Sequence, residues 1–125
     1  KDNIIIGSGI KSFRILCRDK RYFETITSCS THPHNTYAQL LSETGFIGFA
    51  LIFGIFLIIC KNIFFYFVRS FYKKNDSVND QVKILSILIF INLFPFVPTG
   101  SFFNNWMSIM YFLPLGFFLK NNKFV

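Results

Sequence analysis

The chain has 125 residues, 52% of them hydrophobic and only 15% charged, with 19 Phe and a net charge of +7. Disorder is excluded because it needs low hydrophobicity and high charge, and a coiled coil because Ala, Glu, Lys and Leu are too few. A basic pI of about 9.5 invites a soluble nucleic-acid binder, but this much apolar surface would aggregate in water; a membrane protein with basic extramembrane segments remains.

The chain opens on Lys1 with no basic leader and cleavage site, so no signal peptide is read. The expectation is a piece of a longer protein that starts inside an extramembrane segment. Residues 1–44 carry Lys1, Lys11, Arg14, Arg18, Lys20 and Arg21 against Asp2, Asp19, Glu24 and Glu43. No charge occurs from Gly45 to Cys60, and Lys61 is followed by an apolar stretch to Val68. As a helix, Gly45–Val68 would be about 36 Å long, enough to cross a bilayer core of about 30 Å with some tilt. Lys61 lies toward one end, where its stem can snorkel to the headgroups.

Residues 69–83 are polar, with Arg69, Lys73, Lys74 and Lys83 against Asp76 and Asp80, and read as a short interhelical loop. From Ile84 to Leu119 there is again no charge. One helix of that length would be about 54 Å, too long for a bilayer. Pro95, Pro98, Gly100, Ser101 and Asn104-Asn105 supply a break, so two short spans are expected, roughly 83–98 and 103–119, with Pro114 kinking the second. A single buried hairpin is the alternative. The organisation is therefore all-α and integral to the membrane: a loop segment at 1–34, a helix running into a span at 35–68, a loop at 69–83, a two-span hairpin at 84–119 and a tail at 120–125, together one partial domain.

Orientation follows from Lys and Arg in short loops. Three spans put the 69–83 loop and the Lys120/Lys123 tail on one side, the cytoplasmic one, and leave residues 1–44 and the 95–105 turn outside. The outer segment is itself basic, which fits if its charges bind phosphate. An oxidising outer compartment would allow Cys17 to pair with Cys29; two unrelated small apolar residues is the equal alternative.

The informative stretch runs from Ser30 to Gly48. It holds both histidines, His32 and His34, around Pro33. A helix should start just after Pro33 with Asn35 as its N-cap. Asn35, Gln39 and Glu43 then form one polar row. Such a row, ending where an apolar span begins, should face the protein interior or a water-filled cavity. The residues leave three readings open: a capped surface loop, a metal site of His32, His34 and Glu43 that lacks a fourth ligand, or acid–base chemistry at His34. Gly7-Ser8-Gly9 is a turn or a source of backbone amides for a phosphate. Gly45 and Gly48 read as small residues for close helix packing. The Phe102–Trp106 cluster reads as an interface anchor or as a surface for sugar rings and hydroxyls.

His34-Asn35, nine residues, then Gly45-Phe46-Ile47-Gly48 resembles the motif of the O-antigen ligase / O-antigen polymerase superfamily. Glu43-Thr44-Gly45, Tyr37 and the earlier Gly7-Ser8-Gly9…Phe13 fit it as well; Phe49 stands where the family usually has a small residue. The resemblance implies the C-terminal part of a multi-pass protein of the bacterial inner membrane, with its catalytic loop on the periplasmic face. It implies a metal-independent inverting glycosyltransferase with no cofactor, inactive as this piece alone. The donor would be a glycan on undecaprenyl pyrophosphate and the acceptor a hydroxyl of lipid A-core. Polymerase or protein O-oligosaccharyltransferase activity is the alternative within the family. A non-catalytic transporter or channel segment is the alternative outside it, disfavoured because only Lys61, Asn92 and a few hydroxyls interrupt the spans. By the resemblance, His34 activates the acceptor and Asn35 and Glu43 orient it. Arg14 is the chief pyrophosphate ligand, with Lys11, Arg18, Arg21, His32 and Tyr37 as further substrate contacts. The bilayer is a partner; nucleic acid is not.

Overall fold

The computed structural model describes residues 3–19, 21, 29–72 and 80–121. Among the described residues there is no strand; the elements are α1 (Phe13–Leu16), α2 (Thr36–Tyr72), α3 (Asp80–Asn92) and α4 (Asn105–Asn121). Lys20, Lys73, Lys74, Asp76 and Lys123 lie outside the described residues, as do most of the expected loop and tail. Arg69 and Lys83, read from the sequence as loop residues, are inside α2 and α3.

One stretch, Thr36–Arg69, is long and apolar enough to cross a membrane. Of the two later helices, α3 is shorter than the expected 83–98 span, whereas α4 has the length expected at 103–119 and lies two residues further on. With 13 residues in α3 and 17 in α4, they extend about 20 and 26 Å, each below a core of about 30 Å. α3 stops early because Pro95 pushes the residue before it out of helical conformation. Its last turn tightens, with Phe94 N–H donating to Ile91 O (3.4 Å). α4 runs on through Pro114.

α2 is two helices joined at Gly45, whose backbone (φ 67°, ψ −163°) is not helical. The break removes the helical bonds from residues 46 and 47 back to 42 and 43. All four orphaned groups are satisfied by the N-terminal segment. Ser8 N–H donates to Ser42 O (3.0 Å) and Gly9 N–H to Glu43 O (2.9 Å). Phe46 N–H donates to Ile4 O (2.9 Å) and Ile47 N–H to Ile5 O (3.3 Å). Unpaired backbone groups would be costly at the edge of an apolar span, so this exchange is what permits the break. The crossing demands glycine on both segments. A Cβ on Gly7 would run into Gly45 N and the Glu43 carbonyl, and one on Gly45 into Ile5 O and Gly7 N.

The helices divide into two compact units: Lys1–Phe53 with Pro95–Met107, and Gly54–Phe94 with Ser108–Val125. In the first, Tyr37, Leu40 and Phe102 are buried together with the polar Thr36, Gln39 and Glu43. Tyr37 meets Phe49 and Phe53 edge-on at 5.9 and 5.8 Å. In the second, Phe56, Ile59, Val82, Ile89, Leu93, Tyr111 and Phe118 form the core. Phe56 stacks on Phe90 at 5.7 Å, and Asn92 Nδ2 donates to Met110 O (3.2 Å). Many large apolar side chains of α2 remain exposed, Leu51, Phe64, Phe65 and Phe67 among them, as suits a surface that meets lipid or further helices.

Candidate active site

The entry to α2 is built by Asn35. Its Oδ1 accepts from Tyr37 N–H and Ala38 N–H (both 3.0 Å), the N-cap geometry that satisfies the first free amides of a helix. Its Nδ2 donates to Pro95 O (2.8 Å). Nearby, Thr99 N–H donates to His34 O (3.0 Å), and the Thr36 and Thr99 hydroxyls share a bond of 2.9 Å. The start of α2 is thereby sewn to the turn that follows α3.

One and two turns further on, Gln39 and Glu43 are each only 2% exposed. Gln39 Oε1 accepts from Phe102 N–H (2.8 Å). Its Nε2 donates to Ser101 Oγ (3.0 Å) and to Glu43 Oε2 (3.3 Å). Glu43 Oε2 accepts from Lys11 N–H (2.9 Å) and Oε1 from Phe13 N–H (3.2 Å). The polar row therefore faces inward, and it holds two loops: 11–13 through Glu43 and 101–102 through Gln39. A buried carboxylate is tolerated because it collects these donors.

Between those loops lies a cleft of about 550 Å³, lined by Lys11, Arg14, Thr31, His32, Glu43 and residues 100, 101 and 104–107. Lys11 sits at φ 61° and His34 at φ 50°, left-handed conformations that non-glycine residues adopt at some cost and that cluster at functional sites. Among the described residues, neither the Lys11 ammonium nor the Arg14 guanidinium has a carboxylate partner, so both positive charges are available to the cleft. The disulfide between Cys17 and Cys29 ties the end of α1 to the Ser30–His32 turn, so it braces the segment bearing Arg14 against the one bearing His32.

The sequence-derived site residues fall into two groups. Lys11, Arg14, His32 and Glu43 line the cleft. His34 is exposed and does not line it; its ring lies against that of His32, with centroids 4.3 Å apart. His32 Nδ1 is bonded to Thr31 Oγ1 (2.9 Å). Asn35 serves as cap and tie, and Tyr37 is core rather than surface. Arg18 is exposed and does not line the cleft. Arg21 is committed to Asp19, with Nη2 and Nε at 2.6 and 3.0 Å from Oδ2. That side-chain hydrogen bond from Arg21 holds the Asp19 carboxyl down at about 2.

Of the two readings of Gly7-Ser8-Gly9, the turn holds: their amides donate to Asn3 O, Ser42 O and Glu43 O and are not open to a phosphate. The reading of Gly45 and Gly48 is corrected. Gly45 makes the helix break, and Gly48 leaves room for the side chain of Thr44 in its own helix; among the described residues neither meets another helix. Gln39, Thr31, Ser101 and Met107 join the site from the structure. Gln39 has a sequence signal, since it lies on the polar row, and Thr31 stands next to His32 in the informative stretch. Ser101 and Met107 come from a distant part of the chain and have none. Among the described residues no group of three or more His, Cys, Asp or Glu is placed to hold a metal ion.

Fold and site together define a protein that is helical over the described residues, with a polar, cationic cleft built where a helix long and apolar enough to cross a membrane begins. Residues 1–53 match the family model described as O-Antigen ligase. The family the motif resembles is thus the one matched, and the match ends at the border of the first compact unit. The family implies a glycosyltransferase-like ligase that works on glycan and lipid-linked substrates at a membrane. Neither the comparison with curated proteins nor that with solved structures gives a match.

Proposed function

We propose that this chain forms the acceptor-activating part of a bacterial inner-membrane glycosyltransferase, which moves a glycan from undecaprenyl pyrophosphate to a hydroxyl of lipid A-core on the periplasmic side. The observation that carries the reading is the cleft itself. Two unpaired cations and an imidazole, all from the O-antigen ligase-like segment, line one pocket. In the reaction the acceptor oxygen bonds to the anomeric carbon as the bond from that carbon to the pyrophosphate oxygen breaks. The pyrophosphate leaves with the electron pair, and the hydroxyl proton passes to an imidazole. A single displacement of this kind inverts the anomeric centre. Lys11 and Arg14 stabilise the charge that grows on the leaving group, Arg14 with a fork that matches phosphate oxygens.

His34 is assigned as the base from its place in the motif. The structure favours a second reading, because His32 is the imidazole on the cleft wall and His34 packs against it. Separate His34→Ala and His32→Ala variants of the complete protein distinguish them. The base should lose at least about 100-fold in transfer rate while the protein stays in the membrane. Full transfer by both variants would overturn the proposal. A polymerase or a protein glycosyltransferase would use the same cleft with another acceptor, so acceptor assays with lipid A-core, a second repeat unit and a protein hydroxyl assign the branch.

A further inference from the structure

Part of the cleft wall comes from residues 100, 101 and 104–107, outside the segment that the family model covers. Its aromatic residue is Trp106, which is 79% exposed although it lines a cleft. Aromatic rings elsewhere in this unit pack on one another: Tyr37 on Phe49 and Phe53, Phe49 on Phe46 and Phe53, Phe102 on Phe103. Trp106 has no ring partner among the described residues, and its Nε1–H has no acceptor there. Asn105, the preceding residue, lines the same cleft with its amide likewise unbonded among the described residues. The turn that presents them is rigid. Asn104 N–H donates to Ser101 O (3.0 Å), Asn104 Oδ1 accepts from Trp106 N–H (3.3 Å), and Gln39 anchors Ser101 and Phe102 from the buried side.

An open aromatic ring beside an open amide, in one cleft with two cations, is matched to one kind of ligand. A pyranose has an apolar C–H face that gains dispersion contact on an aromatic ring and hydroxyls that an amide can bond. A phosphate attached to that sugar would lie toward the cations. A purely anionic ligand would leave Trp106 idle, and a purely apolar one would strand Lys11 and Arg14.

We propose that Trp106 and Asn105 form the sugar subsite of the cleft and take the sugar ring bonded to the pyrophosphate held by Lys11 and Arg14. The inference rests on the functional reading above and adds to it the part of the site that feels the glycan rather than the lipid phosphate.

The test uses the complete membrane protein in proteoliposomes with two probes: the undecaprenyl-pyrophosphate-linked glycan isolated from the source cells, as donor, and sugar-free undecaprenyl pyrophosphate, as competing inhibitor. Trp106→Ala should raise the donor KM about tenfold, and Trp106→Phe, which keeps an aromatic face, about threefold or less. Neither should change the inhibition constant of the sugar-free lipid. Asn105→Ala should raise the donor KM about threefold and leave the indole in place, so it gives a second reading if Trp106→Ala fails to insert. Lys11→Ala and Arg14→Ala should weaken both probes. A wild-type donor KM in Trp106→Ala and Asn105→Ala would overturn the sugar subsite. So would an equal loss for both probes in Trp106→Ala, which is what an interface anchor would give. If instead Lys11→Ala and Arg14→Ala leave both probes unaffected, the pyrophosphate reading itself falls.

Discussion

Glu43 is the residue whose sequence role and structural role differ most. Its two carboxylate oxygens accept from Lys11 N–H, Phe13 N–H and Gln39 Nε2, which leaves it holding a loop. Glu43→Ala would strand those donors in a buried site, and a loss of about 2–4 kcal/mol is expected. A melting curve of the complete protein in detergent measures it. Glu43→Gln keeps one oxygen acceptor and should lose less. As a positioning residue, Glu43 acts on Lys11 and Arg14, so Glu43→Gln should raise the donor KM more than it lowers kcat. A large fall in kcat at unchanged KM and unchanged melting would make it an acid–base group instead. That Asn35, Gln39 and Glu43 share one helix face was legible, because the row follows helical spacing. What they hold was not legible. Glu43 reaches 32 and 30 residues back along the chain to Lys11 and Phe13, and Gln39 reaches 63 forward to Phe102; no local pattern encodes such pairings.

At the scale of the element, α2 shows how an apolar helix can carry a polar site at its mouth. The break at Gly45 ends the short helix bearing the polar row, and residues 4–9 take over the four backbone groups it frees. Gly45→Ala puts a side chain both at positive φ and against Ile5 O and Gly7 N, and should cost about 3 kcal/mol or more. Gly7→Ala meets the same crossing from the other side and should cost a similar amount. Together they should cost clearly less than their sum, because both destroy one contact; melting of the two single variants and the double variant reads this non-additivity. Gly54, in the same helix with nothing within 4 Å of an added Cβ, supplies the contrast. Gly54→Ala should be neutral or stabilise by up to about 1 kcal/mol. The start of α2 could be read from Pro33 and the Asn35 cap. The break could not, because the residues on both sides of Gly45 are compatible with a helix, and a Gly-x-x-Gly spacing does not say which glycine has left the helix.

For the whole molecule, the hydrogen bonds from Asn35 to Pro95 and from Thr99 to His34 require the chain to leave the first unit and come back to it. If the stretch after Gly45 crosses the bilayer, residues 80–94 belong to the return. Arg69 near the end of the outward leg, Lys83 near the start of the return and Lys73 and Lys74 between them in sequence then fall on the side that the positive-inside rule would make cytoplasmic. The Cys17–Cys29 disulfide argues for the same orientation independently, since such bonds persist in oxidising compartments and the first unit carries it. Single cysteines introduced at Asn105 and at Tyr72 of the complete protein test this. In intact cells a membrane-impermeant maleimide should label Asn105→Cys, and Tyr72→Cys should react only after the inner membrane is permeabilised. Labelling of both sites in intact cells would mean that α2 does not cross. The reverse pattern would mean that the cleft faces the cytoplasm, and there the +7 of the chain would have to be explained without a periplasmic pyrophosphate for Lys11 and Arg14 to bind.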